Sequence, residues 1–373
     1  MIVSEKQNDK RIFGLDVIRA LAILLVLFSH VHYLLGNINP VLISLSGLFG
    51  FAGVELFFVL SGFLIGSILL NQYFSNDFSL KYVFIFLKRR WFRTLPNYYL
   101  ILLINFVIAV YLGYSSMYRH TYFLFFQNFK DYYISFFTES WSLSIEEWTY
   151  VLLPFSLLFF LKFTYRFSKK WSFLVVILFL IVLAHILRYF HFQDNARITT
   201  MELWNTAIKS IVIYRFDTIL YGVVLAWLYH FYSDFLYQYR VYFLIIAAHL
   251  FVLQFVILNV LGVDIVTYPM YFSVFYFTLS SAIFFLTIPY FIFWKSTTSV
   301  FSSGIYFVSQ TSYAAYLLHY SIVSVILKRM LFQTQYELPV IVVLLLYFGT
   351  TFLLSYVLYR FYEKPIMNLR DKN

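Results

Sequence analysis

The sequence predicts an all-α fold, a polytopic transmembrane helical bundle of about ten spans with the N- and C-termini cytoplasmic. Of its 373 residues, 62% are apolar, 24% aromatic and only 12% charged, against about 25% charged in an ordinary soluble domain. Ten separate windows approach the roughly 20 mainly apolar residues that a helical crossing needs. They fall near 12–35, 48–70, 97–113, 143–162, 172–190, 207–230, 241–262, 271–294, 305–328 and 338–360. Ten crossings put both termini on one side, and the basic residues choose that side. Eighteen of the 27 Lys and Arg lie in the segments assigned to it: Lys6, Lys10, Arg11, Lys81, Lys88, Arg89, Arg90, Arg93, Lys162, Arg166, Lys169, Lys170, Arg240, Lys295, Arg360, Lys364, Arg370 and Lys372. Five are opposite (Arg119, Lys130, Arg197, Lys328, Arg329), and Arg19, Arg188, Lys209 and Arg215 lie inside or border spans. This asymmetry follows the positive-inside rule. The net charge of +10 is therefore mostly topology, and no nucleic-acid partner is expected; membrane lipids are.

Zero Cys excludes disulfides, Cys-ligated zinc, iron–sulfur clusters and a thiol nucleophile, and no metal site is expected. The chain reads as one domain, residues 1–373, with a cytoplasmic leader (1–11), a membrane bundle (12–360) and a cytoplasmic tail (361–373). The first span is too long for a signal-peptide core and has no small-residue cleavage site after it, so it is retained. The apolar, aromatic stretch 121–136, interrupted by Gln127, Asn128, Lys130 and Asp131, reads as re-entrant or interfacial.

An ionisable side chain within a span costs roughly 2.5–3.5 kcal/mol on insertion scales, so each is a candidate functional group. In the first span Arg19 and His30 are eleven residues apart. At about 100° and 1.5 Å per residue they share a helix face some 16 Å apart. Asp16, three residues before Arg19, can pair with it. The alternative is a snorkelling Asp16/Arg19 pair at the interface, with His30 bonded to a carbonyl. In the second span Glu55 follows Gly50 and Gly53, glycines that permit close helix approach; it is either a site carboxylate or part of a packing motif facing the outer loops. Arg90 and Arg93, at i and i+3 before Pro96, would lie on one side of a helix ending at that Pro. Guanidinium forks bind phosphate, and a polybasic cluster also meets anionic headgroups.

The fourth span opens Ser140-Trp141-Ser142-Leu143-Ser144-Ile145-Glu146-Glu147. Ser144 and Glu147 fit a capping box, which leaves Glu146 to hold or relay a proton. In the sixth span Arg215 and Asp217 are two apart and cannot share a face, so each needs a partner from another span. His319 in the ninth stands alone and reads as a satisfied packing residue before a catalytic one.

Taken in order, these segments resemble the acyltransferase-3 family of bacterial integral membrane acyltransferases. The residues that carry the resemblance are Arg19-x10-His30, Phe57-Phe58-Val59-Leu60-Ser61-Gly62-Phe63, Arg90-x-x-Arg93-x-x-Pro96, Trp141 through Glu147, Arg215-Phe216-Asp217, Ser312-Tyr313 through His319, and Glu363-x-Pro365. The resemblance implies a multi-pass protein of the bacterial inner membrane that moves an acyl group, usually acetyl, from cytoplasmic acetyl-CoA to a hydroxyl of an envelope glycan or lipid-linked sugar. Candidate acceptors include the O-antigen of lipopolysaccharide and peptidoglycan. His30, Arg19, Glu146 and Asp16 would be catalytic; Arg90, Arg93 and Arg19 would hold the donor; Glu55, Trp141, Glu147, Arg215, Asp217 and His319 would meet the acceptor. His30 would act as general base or carry the acyl group itself, with Arg19 or Arg215 as oxyanion donor. Relatives often carry an SGNH hydrolase-like domain after the last span; none follows here, and the expected acceptor is membrane-proximal. The competing classes are a proton-coupled transporter and a polysaccharide exporter or scaffold. A homodimer is left open.

Overall fold

The computed structural model describes residues 11–35, 39–75, 78–115, 117–161, 163, 168–194, 198–298, 300–333 and 338–370. The leader with Lys6 and Lys10, the basic residues Lys162, Arg166, Arg197 and Lys372, and residues 371–373 lie outside the described residues. In hydrocarbon each backbone N–H and C=O must be satisfied within its own segment, and helices do this here; no strand occurs among the described residues. Among the described residues, ten helices are long and apolar enough to cross a membrane: α1 Phe13–Tyr33, α2 Val41–Phe74, α3 Leu80–Tyr111, α4 Ser140–Phe160, α5 Lys169–Asp194, α6 Val212–Phe231, α7 Ser233–Ile257, α8 Tyr271–Ile292, α9 Ser302–Leu331 and α10 Val340–Leu369.

Three boundaries differ from the sequence expectation. Pro96 does not end a helix; α3 runs through it from Leu80 to Tyr111. Carbonyls around the proline are taken by tyrosines of other spans: the Tyr313 hydroxyl donates to the Thr94 carbonyl (2.9 Å) and that of Tyr362 to the Pro96 carbonyl (3.4 Å). α4 begins at Ser140, so Ser144 is inside the helix, accepting from Gln127 Nε2 (2.7 Å) and donating to the Ser140 carbonyl (3.2 Å); there is no capping box. α10 extends past 360 to Leu369, and Glu363 is buried there, accepting from Asn97 Nδ2 on α3 (2.7 Å).

α2 is the central helix, packed on α1 and α6. Its crossing with α6 is set by two glycines. A Cβ on Gly62 would lie 1.8 Å from the Ile219 carbonyl oxygen, and one on Gly222 would lie 2.0 Å from that of Val59. Only hydrogen fits at either position, so the two backbones touch. α7 and α10 are 17% and 22% buried, against 72% for α2, and their apolar side chains face outward, as helices at a lipid boundary do. The N-terminus of α1 is closed by the chain after α8: Phe13 and Gly14 donate to the Lys295 and Trp294 carbonyls (3.3 and 2.9 Å), which satisfies donors a helix start leaves open.

A stretch of non-helical backbone lies inside the protein. Residues 125–139 fold inward, with Gln127 and Asn128 fully buried. The Asn128 carbonyl accepts from Val212 N and the Phe129 carbonyl from Ile213 N (3.0 and 3.2 Å), which pins the start of α6. Irregular backbone is tolerated at such depth where protein surrounds it.

Replacing Gly62 or Gly222 by Ala forces a methyl into a neighbouring backbone, and overpacking of this kind costs about 1–3 kcal/mol. Either variant is expected to lower the thermal midpoint by several degrees in detergent. Gly349→Ala, on α10 with nothing within 4 Å of the added Cβ, should leave it unchanged.

Candidate active site

The charges within the bundle sort into two kinds. Glu55 of α2 and Arg215 of α6, both fully buried, form an ion pair through Oε1 and Nη2. The same Nη2 donates to Thr218 Oγ1 (3.2 Å), and the guanidinium carbon lies 3.7 Å from the Phe277 ring centre. Asp217 accepts two hydrogen bonds from Arg188 of α5 (2.8 and 2.7 Å), and Arg188 also donates to the Tyr214 carbonyl (2.7 Å). Arg215 and Asp217 thus each take a partner from another span. None of these four groups lines either of the two cavities described below; they join α2, α5 and α6.

Asp16 is also a joint. It accepts from Arg11 (2.5 and 2.8 Å), from Ser309 Oγ of α9 (2.5 Å) and, at 3.4 Å, from Arg19. It fixes α1 against α9 and orients Arg19, whose Nη1 also donates to Ser309 (3.2 Å).

Other charged and polar groups line two cavities stacked along the bundle, though Glu147 lines neither. The proximal one, nearer the termini, is narrow, about 100 Å³, and gathers Arg19, Arg90, Arg93, Ser61, Glu146 and Tyr313. Arg90 donates to the Tyr150 hydroxyl (2.8 Å) and lies over its ring at 4.4 Å; Glu146 accepts from Ser61 Oγ and Glu147 from Thr94 Oγ1 (2.7 and 2.8 Å). Three guanidinium groups against one carboxylate leave this cavity positive, and their planar forks suit phosphate oxygens.

The distal cavity is larger, about 920 Å³, and holds His30, His32, Glu139, Trp141, Lys209 and His319. His30 Nδ1 is 2.9 Å from the Val26 carbonyl and His319 Nδ1 is 2.7 Å from the Tyr316 carbonyl. A carbonyl only accepts, so both Nδ1 atoms donate, and in the neutral ring that leaves the lone pair on Nε2. The two rings are 4.9 Å apart at 73°. His319 opens a π-helical turn, His319–Ser324, a distortion frequent at functional sites. The cavities meet at Val54 and Tyr316, which line both. The Tyr316 hydroxyl shares a 2.5 Å hydrogen bond with Ser142 Oγ and donates to the Glu139 carbonyl (3.0 Å). Arg19 and His30 therefore lie on one route with a tyrosine at its neck.

Glu139 and Lys209 were not singled out by any motif. Glu139 is buried, accepts from Ser321 N and Oγ (3.1 and 2.7 Å), and its second oxygen has no partner among the described residues. Burial pushes its carboxyl up to about 7 against the pull of the Ser321 donors. The available signal was its place directly before Ser140-Trp141. No group of three or more His, Asp or Glu side chains that would hold a metal is gathered among the described residues.

Residues 12–360 match the profile of an acyltransferase domain family, acyltransferase-3, and the chain belongs to that family. It is 35% identical over 164 residues to the putative peptidoglycan O-acetyltransferase YrhL of Bacillus subtilis (strain 168), covering 40% of this chain and 24% of the relative. It is 31% identical over 175 residues to the peptidoglycan O-acetyltransferase OatA of Listeria monocytogenes (serovar 1/2a, strain EGD-e), covering 42% of this chain and 26% of the relative. The chain thus spans about a quarter of the length of the curated relatives it matches. No solved structure matches it.

Two outcomes are expected. Arg215→Met strands the Glu55 carboxylate, and breaking a buried pair in this way costs about 3–5 kcal/mol. Its folded yield on size exclusion should collapse, with partial recovery in the Glu55→Leu, Arg215→Met double variant. For Glu139, the unfolded carboxyl titrates near 4.3 and the folded one near 7, so the folded state holds the extra proton between those values. Stability should fall as pH rises through that window. Glu139→Gln should flatten the decline in thermal midpoints measured from pH 4 to 8.

Proposed function

We propose that this membrane O-acyltransferase takes acetyl-CoA, or another short acyl-CoA, from the cytoplasm and transfers the acyl group to a glycan hydroxyl on the other side of the bacterial cytoplasmic membrane. The observation that carries the reading is the stacking of two unlike cavities, one rich in arginine and one holding a pair of imidazoles, joined at Val54 and Tyr316. Coenzyme A is polyanionic at one end and carries its thioester at the tip of an extended pantetheine arm. Arg90, Arg93 and Arg19 would hold the phosphates at the end that carries the termini, the side the excess of Lys and Arg assigns to the cytoplasm. The arm would pass Tyr316, and the thioester would reach His30, about 16 Å further along α1 than Arg19.

At the thioester, His30 acts as general base. Its Nδ1–H is held by the Val26 carbonyl, which aims the basic Nε2 away from the helix backbone. Direct transfer needs one active-site group fewer than an acyl-histidine route. His319, ring to ring with His30, and Trp141 would flank the acceptor. Glu146, on the proximal side of the neck, would balance the charge of the arginine cluster instead of relaying a proton to His30. The names of the two relatives support peptidoglycan, or a lipid-linked precursor with the same amino sugars, as acceptor.

The test is release of coenzyme A thiol by purified protein in nanodiscs, supplied with acetyl-CoA and a soluble N-acetylglucosamine oligomer. The chain has no Cys, so a thiol reagent reads the product alone. His30→Gln, inserted normally, should lose 10²–10⁴-fold in rate, the usual contribution of a general base. Arg90→Gln with Arg93→Gln should raise KM for acetyl-CoA at least tenfold and leave turnover of S-acetyl-N-acetylcysteamine, which lacks the phosphates, unchanged. Wild-type rates in His30→Gln would overturn the assignment.

A further inference from the structure

Acyl transfer from a thioester passes through a tetrahedral oxyanion, and a fixed positive or donor group at that oxygen supplies much of the catalysis. The two arginines expected from the sequence to serve this role are placed elsewhere. Arg19 lines the proximal cavity and is tied to Asp16 and Ser309; Arg215 is sealed between Glu55 and Phe277 and lines neither cavity. Among the described residues, the distal cavity that holds His30 is lined by a single Lys or Arg, Lys209.

Its position is built. Lys209 ends a π-helical turn, Asn205–Lys209, just before α6. Asn128 Nδ2 donates to the carbonyl of the next residue, Ser210 (2.5 Å), and also to that of Trp141 (2.9 Å). One buried amide thus ties the strand of chain carrying Lys209 to the helix carrying Trp141. The Lys209 ammonium lies 5.0 Å from the Trp141 ring centre, and among the described residues no carboxylate is within ion-pair distance of it. A cation held over an aromatic face in the same cavity as the reacting base, with no carboxylate within ion-pair distance among the described residues, is available to a charge that appears only during reaction.

We propose that the Lys209 ammonium stabilises the oxyanion of the acyl transfer. The inference rests on the reading of His30 as base. The acceptor oxygen attacks the thioester carbonyl carbon, its proton passes to His30 Nε2, and the carbonyl electron pair moves onto oxygen, where Lys209 faces it. Collapse re-forms the carbonyl and breaks the C–S bond. The leaving thiolate takes the proton back from His30, so acceptor alcohol and acetyl-CoA become acetyl ester and coenzyme A, and both side chains return to their starting states.

The groups around Lys209 set its working range. Burial and Arg215 hold its amine down to about 8, with Glu55 opposing; His30, His32, Glu139, Asp264 and His319 share the cavity. Below that value the ammonium is present, and as pH rises through it the charge is lost.

The thiol-release assay with the N-acetylglucosamine oligomer, run from pH 6 to 10, tests this. Lys209→Met should lower kcat about 10²-fold, the usual cost of one oxyanion donor, with both KM values within about twofold. Lys209→Arg should keep kcat within about tenfold and move the alkaline limb from near pH 8 to above 9.5. Should Lys209→Met fail to insert, the limb in Lys209→Arg decides. An unmoved limb, an undiminished kcat in Lys209→Met, or a raised acceptor KM at constant kcat would each overturn the proposal, the last by making Lys209 an acceptor anchor. His30→Gln in parallel separates the two claims: activity lost there but intact in Lys209→Met removes the lysine and leaves the base.

Discussion

The buried ion pairs Glu55 with Arg215 and Arg188 with Asp217 are the interactions on which the rest of the structure depends. Four fully buried charges are tolerable in a bilayer only as partners, and here each pair spans two helices. They therefore dictate which helices are neighbours. α6 must lie between α5 and α2, close enough for the glycine contact at Gly62 and Gly222, and the start of α6 must meet the inward fold at Asn128. Once that is set, Lys209, Trp141 and His30 are brought around one cavity.

This arrangement separates charges that hold the bundle from charges that line the two cavities. The first kind are paired and line neither cavity: Glu55, Asp16, Arg188, Arg215 and Asp217. The second kind line cavities: Arg19, Arg90 and Arg93 on one side of Tyr316, and His30, His319 and Lys209 on the other. The separation suits a reaction whose donor is a water-soluble polyanion and whose chemistry needs a base kept neutral. The neck keeps the two environments distinct while leaving a route for a slender chain.

Much of this was legible in the sequence because membrane insertion leaves strong periodic signals. All ten spans could be read, as could the shared face of Arg19 and His30, and the need of Arg215 and Asp217 for partners on other helices followed from their spacing alone. The start of α3 was not legible, since Lys88, Arg89, Arg90 and Arg93 lower the local hydropathy; two of these, Arg90 and Arg93, line the proximal cavity. Nor was the division of labour among charged groups. Glu55 and His319 look alike as lone polar residues in apolar runs, and only tertiary contacts make one a strut and the other a neighbour of His30. Lys209 was visible merely as a basic residue bordering a span. Its place near His30 depends on Asn128, more than 80 residues away, bridging Ser210 to Trp141, and no local pattern encodes that contact.

The central claim is that one acyl group moves along a single route, from the arginine-lined cavity past Tyr316 to His30, while coenzyme A stays on its own side. Sidedness tests it most directly. In proteoliposomes of defined orientation, radiolabelled acetyl-CoA is supplied only to the face carrying the termini and the N-acetylglucosamine oligomer only to the other. Labelled ester should accumulate with the oligomer, and all released coenzyme A should remain with the donor. Ester formed only when donor and acceptor share a compartment would contradict the account.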